Sequence, residues 1–169
     1  MSAPSARSIG WKETVSFPDW GIDGVSAKSD TGARSSALDV HDIVELPDGR
    51  LAFDVILDRG SALRTQRVEA EIADRVTIRS SNGQSQQRYR IRTRLRIGEI
   101  EKVAEFSLAA RRKMIHRVLL GRTFLAPDFL VDASAKYVLS EPPRRRRKVR
   151  QSVAKTEKAP KPKRPKRTQ

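Results

Sequence analysis

At 169 residues the chain is long enough for one domain with a sizeable core, and its 35 Lys and Arg against 20 Asp and Glu give a net charge of +15. The charge is uneven: Glu141–Gln169 holds 13 basic and 2 acidic side chains, which leaves 22 and 18 for the rest, so the basic character belongs to the tail rather than the fold. The absence of cysteine excludes a disulfide framework, a thiol nucleophile and a Cys-based zinc site, and no stretch approaches the roughly 18 apolar residues of a membrane span.

The opening residues MSAPSARSIG contain no apolar core of a secretory signal, so residues 1–10 read as a flexible lead and the protein as cytoplasmic. Short strands are expected at Trp11–Phe17 and Gly24–Ser29, punctuated by Pro18, Gly21 and Gly24. Asp42–Leu46 and Arg50–Leu57 flank Pro47-Asp48-Gly49, a strong turn signal, and form an expected hairpin. Strands at Leu63–Ile72 and Val76–Arg79 follow, then a polar stretch, Ser80–Ser85, in which Asn82-Gly83 suits a hairpin turn.

Gln87–Ile97 has the clearest two-residue period. Tyr89, Ile91, Thr93, Leu95 and Ile97 face one way, and Arg88, Arg90, Arg92, Arg94 and Arg96 the other, which makes this a half-exposed strand. Glu99–Leu108 reads as its antiparallel partner across Gly98, with Glu101 and Glu105 placed to meet the arginines. An apolar strand at Ile115–Leu120, a helical turn at Thr123–Ala126 and closing strands at Phe129–Val131 and Tyr137–Leu139 complete a domain over residues 11–140. From residue 141 the Lys/Arg/Pro-rich composition cannot bury enough surface to offset ordering entropy, so 141–169 reads as a disordered tail.

Within this β-rich frame, SAKSDTGARSSAL places Asp30-Thr31-Gly32-Ala33 directly after a strand. The tripeptide alone is an ordinary turn. An aspartic peptidase needs a carboxylate at the tip of a tight loop facing a second carboxylate. Gly32 permits close backbone approach, and two carboxylates about 3 Å apart share one proton because both cannot easily ionise. Some 90 residues on, Leu119-Leu120-Gly121-Arg122 supplies an apolar pair followed by Gly-Arg. Asp74, Asp128 and Asp132 lack the Thr-Gly context and read as turn, capping or ion-pair residues.

Trp11 to about Leu139 resembles the retropepsin-like aspartic peptidase family associated with RimK-type ATP-grasp glutamate ligases, which also carries the name of an ATP-dependent zinc protease. The resemblance rests on Gly10-Trp11, Lys28 through Leu38, Arg88-Tyr89 with Ile91 and Thr93, Leu119 through Thr123, and Val131-Asp132. It implies an all-β, retropepsin-like closed barrel and an aspartic peptidase with Asp30 catalytic and Thr31, Gly32 and Ala33 supporting the loop. Leu119, Leu120, Gly121 and Arg122 then form the second signature, and Ser81, Asn82 and Gly83 sit where a flap would close.

One motif without an internal repeat is half a site, which implies a C2 homodimer. The family context implies an acidic, polyglutamate-like peptide or protein substrate, with Arg88, Arg90 and Arg92 as its contacts. A solvated arginine face and a dimer surface are the alternatives. Zinc and ATP are not expected: the only histidines are His41 and His116, and neither HExxH nor a P-loop is present, so no metal or cofactor is assigned. The tail has the composition of segments that contact phosphate backbones, so RNA or the ribosome is its expected partner beside a purely solubilising role. A non-catalytic module that holds an acidic protein or RNA is the competing function.

Overall fold

A computed structural model describes residues 6–59, 63–79, 85–110 and 115–143. Ten strands account for most of them: β1 (Arg7–Phe17), β2 (Ile22–Ser29), β3 (Ser36–Glu45), β4 (Arg50–Arg59), β5 (Leu63–Glu71), β6 (Asp74–Arg79), β7 (Ser85–Ile97), β8 (Ile100–Ala109), β9 (Val118–Leu120) and β10 (Phe129–Lys136). A single helical turn, α1 (Arg122–Leu125), follows β9.

The order β1-β2-β9-β3-β8-β7 returns to β1 through the Ser16–Arg96 pairing, which closes a six-stranded barrel. Closure removes the open edges a sheet would otherwise expose. β10 lies parallel on β1, β6 extends the sheet beyond β7, and the β4–β5 hairpin hangs from β3.

The period-2 reading of β7 holds. Ile91, Thr93, Leu95 and Ile97 are buried while Arg92, Arg94 and Arg96 are exposed. Gly98 turns the chain into β8 at φ 57°, and a Cβ there would lie 2.0 Å from the Leu139 carbonyl oxygen, so glycine is required twice over. Pro47-Asp48-Gly49 makes the expected hairpin, with Gly49 at φ 81° and Leu46 donating to the Arg50 carbonyl. Inside the barrel, Phe17 meets Phe106 edge-on at 5.7 Å and Trp20 at 5.2 Å, and Trp20 in turn meets Phe53 of β4 at 5.7 Å. This aromatic chain fastens the β4–β5 hairpin to the barrel.

Four expectations are corrected. Residues 7–10 are not a flexible lead: Arg7–Gly10 pair in register with Phe129–Asp132 of β10, whose backbone groups order them. β3 begins at Ser36, not Asp42. Ser36–Val40 is flanked by β8 and β9 and buried throughout, so it carries no alternation to read. Ile115–Leu120 is a strand only from Val118; Ile115 is 87 % exposed, and Arg117 turns inward to a buried ion pair with Asp39. Phe129–Val131 and Tyr137–Leu139 are not two strands. β10 runs unbroken to Lys136, and Tyr137 at φ 56° ends the extended path. The expected Ser80–Ser85 turn falls largely outside the described residues, and so do the expected flap residues Ser81, Asn82 and Gly83. The strands on either side of that turn pair from Asp74–Arg90 to Arg79–Ser85.

Candidate active site

The Asp30 loop joins β2 to β3, and β9 is inserted between these two strands, parallel to β2 and antiparallel to β3. That insertion brings the two sequence signatures together. The Asp30 N–H donates to the Leu120 carbonyl at 2.9 Å. Arg122 donates from Nη1 to the carbonyls of Thr31 and Gly32, both at 2.9 Å, and from its backbone N–H to that of Ala33 at 3.0 Å. The Thr123 N–H reaches the Arg34 carbonyl at 3.0 Å. The second signature is thus a brace for the first.

Gly121 allows that approach. A Cβ there would lie 2.5 Å from the Ser35 carbonyl carbon and oxygen, closer than any real contact. Its N–H donates to Ser36 Oγ at 3.1 Å, and Ser107 Oγ donates to the Ser36 carbonyl at 3.1 Å, which fixes the start of β3. Within the loop, Asp30 Oδ1 accepts the N–H groups of Gly32 at 3.2 Å and Ala33 at 3.3 Å. Both bonds are long. Oδ2 has no hydrogen-bond partner among the described residues, and the side chain is half-buried, with Thr31 and Gly32 exposed beside it. The carboxylate is oriented through one oxygen and left available through the other.

A second layer holds this loop from behind. Ser29 Oγ donates to the Gly10 carbonyl at 2.9 Å, and the Gly10 N–H donates to Glu13 Oε1 at 2.8 Å. Glu13 is buried and also accepts the N–H groups of Val138, Leu139 and Ser140 at 2.9, 3.2 and 3.0 Å, together with the Ser140 hydroxyl. Neither this clasp nor the Asp39–Arg117 pair was foreseen from the sequence. Each joins residues 78 or more positions apart, and only a lone acid in an apolar strand hints at either.

Beside the loop lies a cleft of about 400 Å³, lined by Arg34, Arg90, Arg92 and Lys102 with Glu105 and Phe124. Arg90 and Arg92 therefore stand next to the Asp30 loop, whereas Arg88 lies outside the cleft, opposite Val76 on β6. Glu105 pairs with Arg90 at 2.7 Å and Arg92 at 3.3 Å, and the Arg90 hydrogen bond holds its carboxyl below the usual range. Lys102 pairs with Asp128 at 2.6 Å, Arg90 also reaches Asp74 at 3.7 Å, and Asp132 accepts the Ser134 N–H at 2.8 Å.

Among the described residues one group offers several metal-type donors close together: His41, Asp42 and Asp54, with atoms within 4.8 Å of one another. Here His41 Nδ1 already hydrogen-bonds Asp42 at 2.7 Å and Arg67 lies 3.5 Å from Asp54, while the buried His41 Nε2 has no hydrogen-bond partner among the described residues. His116 bonds Ser26 Oγ at 2.9 Å through Nδ1 and stands apart from that group.

A family model described as the retropepsin-like aspartic endopeptidase RimB matches residues 8–142, a span that takes in the barrel, the Asp30 loop, its brace and the Glu13 clasp. The chain belongs to the RimB-like family. Curated proteins named probable alpha-L-glutamate ligase match as well. Those of Shewanella pealeana and Desulfotalea psychrophila are each 32% identical, over 136 residues (79% of this chain) and 148 residues (83%). The chain spans only about 30% of their length. A Legionella pneumophila protein of unknown function has a crystal structure that superimposes with a TM-score of 0.68, covering 80% of this chain and all of that one at 24% identity, which shows the fold alone. Among the described residues of this RimB-like chain, no helix is long and apolar enough to cross a membrane.

Proposed function

We propose that the chain is an aspartic peptidase that works as a symmetric homodimer and trims acidic, polyglutamate-like tails, with a ribosomal protein as substrate. The observation that carries this reading is the half-buried Asp30 carboxylate, on a loop braced by Leu120 and Arg122 and hydrogen-bonded through one oxygen only among the described residues. Two copies facing across a twofold axis place two such carboxylates together with one proton between them. The ionised carboxylate takes a proton from a water, whose oxygen adds to the scissile carbonyl carbon. The protonated one donates to the carbonyl oxygen, and collapse of the tetrahedral species breaks the C–N bond as the leaving amine takes a proton. The Arg34, Arg90, Arg92 and Lys102 cleft beside the loop supports an acidic substrate, whose carboxylates it would draw in.

The test uses a peptide ending in a run of glutamates and its glutamine counterpart. Wild-type protein is expected to sediment as a dimer and cut the glutamate peptide faster, and Asp30→Asn to leave the dimer intact and the peptide whole. Cleavage that survives Asp30→Asn sinks the mechanism, and equal or faster cutting of the glutamine peptide sinks the substrate. A second reading draws on the curated relatives, whose names are those of ligases: a non-catalytic module that holds an acidic protein or RNA. It predicts that wild-type protein binds the glutamate peptide and never cuts it.

A further inference from the structure

We propose that the outer face of β10, β1 and β2 is a binding surface for the phosphodiester backbone of single-stranded RNA, with Lys136, Lys12 and Lys28 as its phosphate contacts. Strand register puts these lysines in one row: Lys12 of β1 pairs with Lys136 of β10 on one side and with Lys28 of β2 on the other. Directly paired residues project from the same face, and like charges so placed weaken a sheet. At about 4.8 Å between strands the row spans about 10 Å.

No acid among the described residues forms an ion pair with any of the three. The arginines of β7 differ: Arg90 and Arg92 pair with Glu105, Arg94 with Asp19 and Glu101, and Arg96 with Asp23. Those arginines share their charge with neighbouring carboxylates, whereas the three lysines have none among the described residues. An uncompensated lysine row concentrates positive potential where an anion would relieve it.

The neighbours point to nucleic acid rather than an acidic peptide. Lysine binds phosphate as a compact point charge with three rotatable donors, which suits a sequence-independent backbone contact. Aromatic rings interleave with the lysines: Lys136 sits 5.1 Å from the half-exposed Trp11 ring and Lys12 5.8 Å from that of Tyr137. Such rings are stacking platforms for bases. His116 meets Trp11 edge-on at 6.1 Å, and its proton affinity is lowered first by burial and then by the charges of Lys12, Lys28 and Arg117. The Thr14 N–H, two residues from Lys12, donates to Ser140 Oγ at 2.8 Å, and in the sequence 13 basic residues follow Ser140.

The surface stands independently of the peptidase reading, and its test reads RNA binding alone. Anisotropy of a labelled, mixed-sequence single-stranded RNA is titrated with the full chain across a salt series. In Lys12→Gln/Lys28→Gln/Lys136→Gln the slope of log affinity against log salt should fall by about 2, because each phosphate contact contributes about 0.7. The affinity lost between about 50 and 200 mM salt then shrinks by about 20-fold. Arg96→Gln should leave the slope unchanged. If the triple variant does not fold, Lys28→Gln alone should lower the slope by about 0.7. An unchanged slope overturns the proposal. A glutamate peptide that displaces the RNA from wild type but not from the lysine variant overturns it too, in favour of a carboxylate surface.

Discussion

Asp30 and Glu13 are both carboxylates that accept backbone N–H groups, yet the barrel treats them in opposite ways. Glu13 is buried, and its two oxygens receive four N–H groups and a hydroxyl from Gly10 of its own strand and from residues 138–140. Asp30 is half-buried and receives two long bonds on one oxygen. A saturated carboxylate has no capacity left for chemistry and serves as a fastener. An undersaturated one, held in place through the backbone rather than through its own oxygens, keeps its lone pairs for substrate or water. The two are joined, because Glu13 holds the Gly10 N–H, the Gly10 carbonyl holds Ser29, and Ser29 precedes Asp30.

Substitution should separate the two roles cleanly. Asp30→Asn is expected to lower cleavage by about a thousandfold or more, since a general acid–base group is lost, while its unfolding free energy stays within about 0.5 kcal/mol of wild type. Glu13→Gln should do the reverse. It sets an amide NH₂ against backbone donors and is expected to cost about 3 kcal/mol of stability in chemical denaturation. Its residual activity per folded molecule should fall far less than that of Asp30→Asn. A Glu13→Gln protein as stable as wild type would remove the distinction.

The parts of this arrangement legible in the sequence are those that depend on near neighbours. Asp30-Thr31-Gly32-Ala33 and Leu119-Leu120-Gly121-Arg122 are local motifs, and the Arg88–Arg96 alternation marks a strand with one wet face. What escaped reading depends on distant partners. Ser36–Val40 hides its strand because both sides are covered and because buried Ser36 and Asp39 interrupt the apolar run. Glu13 gains most of its partners only when Val138–Ser140 arrive 125 residues later. Tyr137–Leu139 reads as a strand, but only the Tyr137 N–H reaches one, at the Lys12 carbonyl, while those of Val138 and Leu139 go to the Glu13 carboxylate. The lysine row is invisible for the same reason, since it exists only once the register of β10, β1 and β2 is set.

Gly121→Ala tests whether the brace matters to the Asp30 loop as the clasp does. The new methyl would sit 2.5 Å from the Ser35 carbonyl, so the second signature must back away from the loop. The expected cost is about 1–3 kcal/mol from overpacking, together with weaker Arg122 bonds to Thr31 and Gly32. Unlike the two carboxylate variants, this one should lose stability and cleavage together, read by denaturation and peptide turnover on the same preparation.

The smallest effect expected is on pH dependence, and it sets the carboxylates apart from the lysine row. Burial, with Lys12, Lys28 and Arg117 nearby, lowers the proton affinity of His116 in the folded chain. The unfolded chain therefore binds more protons at this residue, so its contribution to stability is complete above about pH 6.5 and is lost as the pH falls through the lower folded value. Melting temperature should accordingly rise slightly between about pH 5 and 7 in wild type and stay flatter in His116→Gln. Lys12→Gln/Lys28→Gln should retain part of the slope, because burial, the larger cause, stays in place when the charges go. A slope that vanished with the lysines alone would mean that charge, and not burial, governs His116.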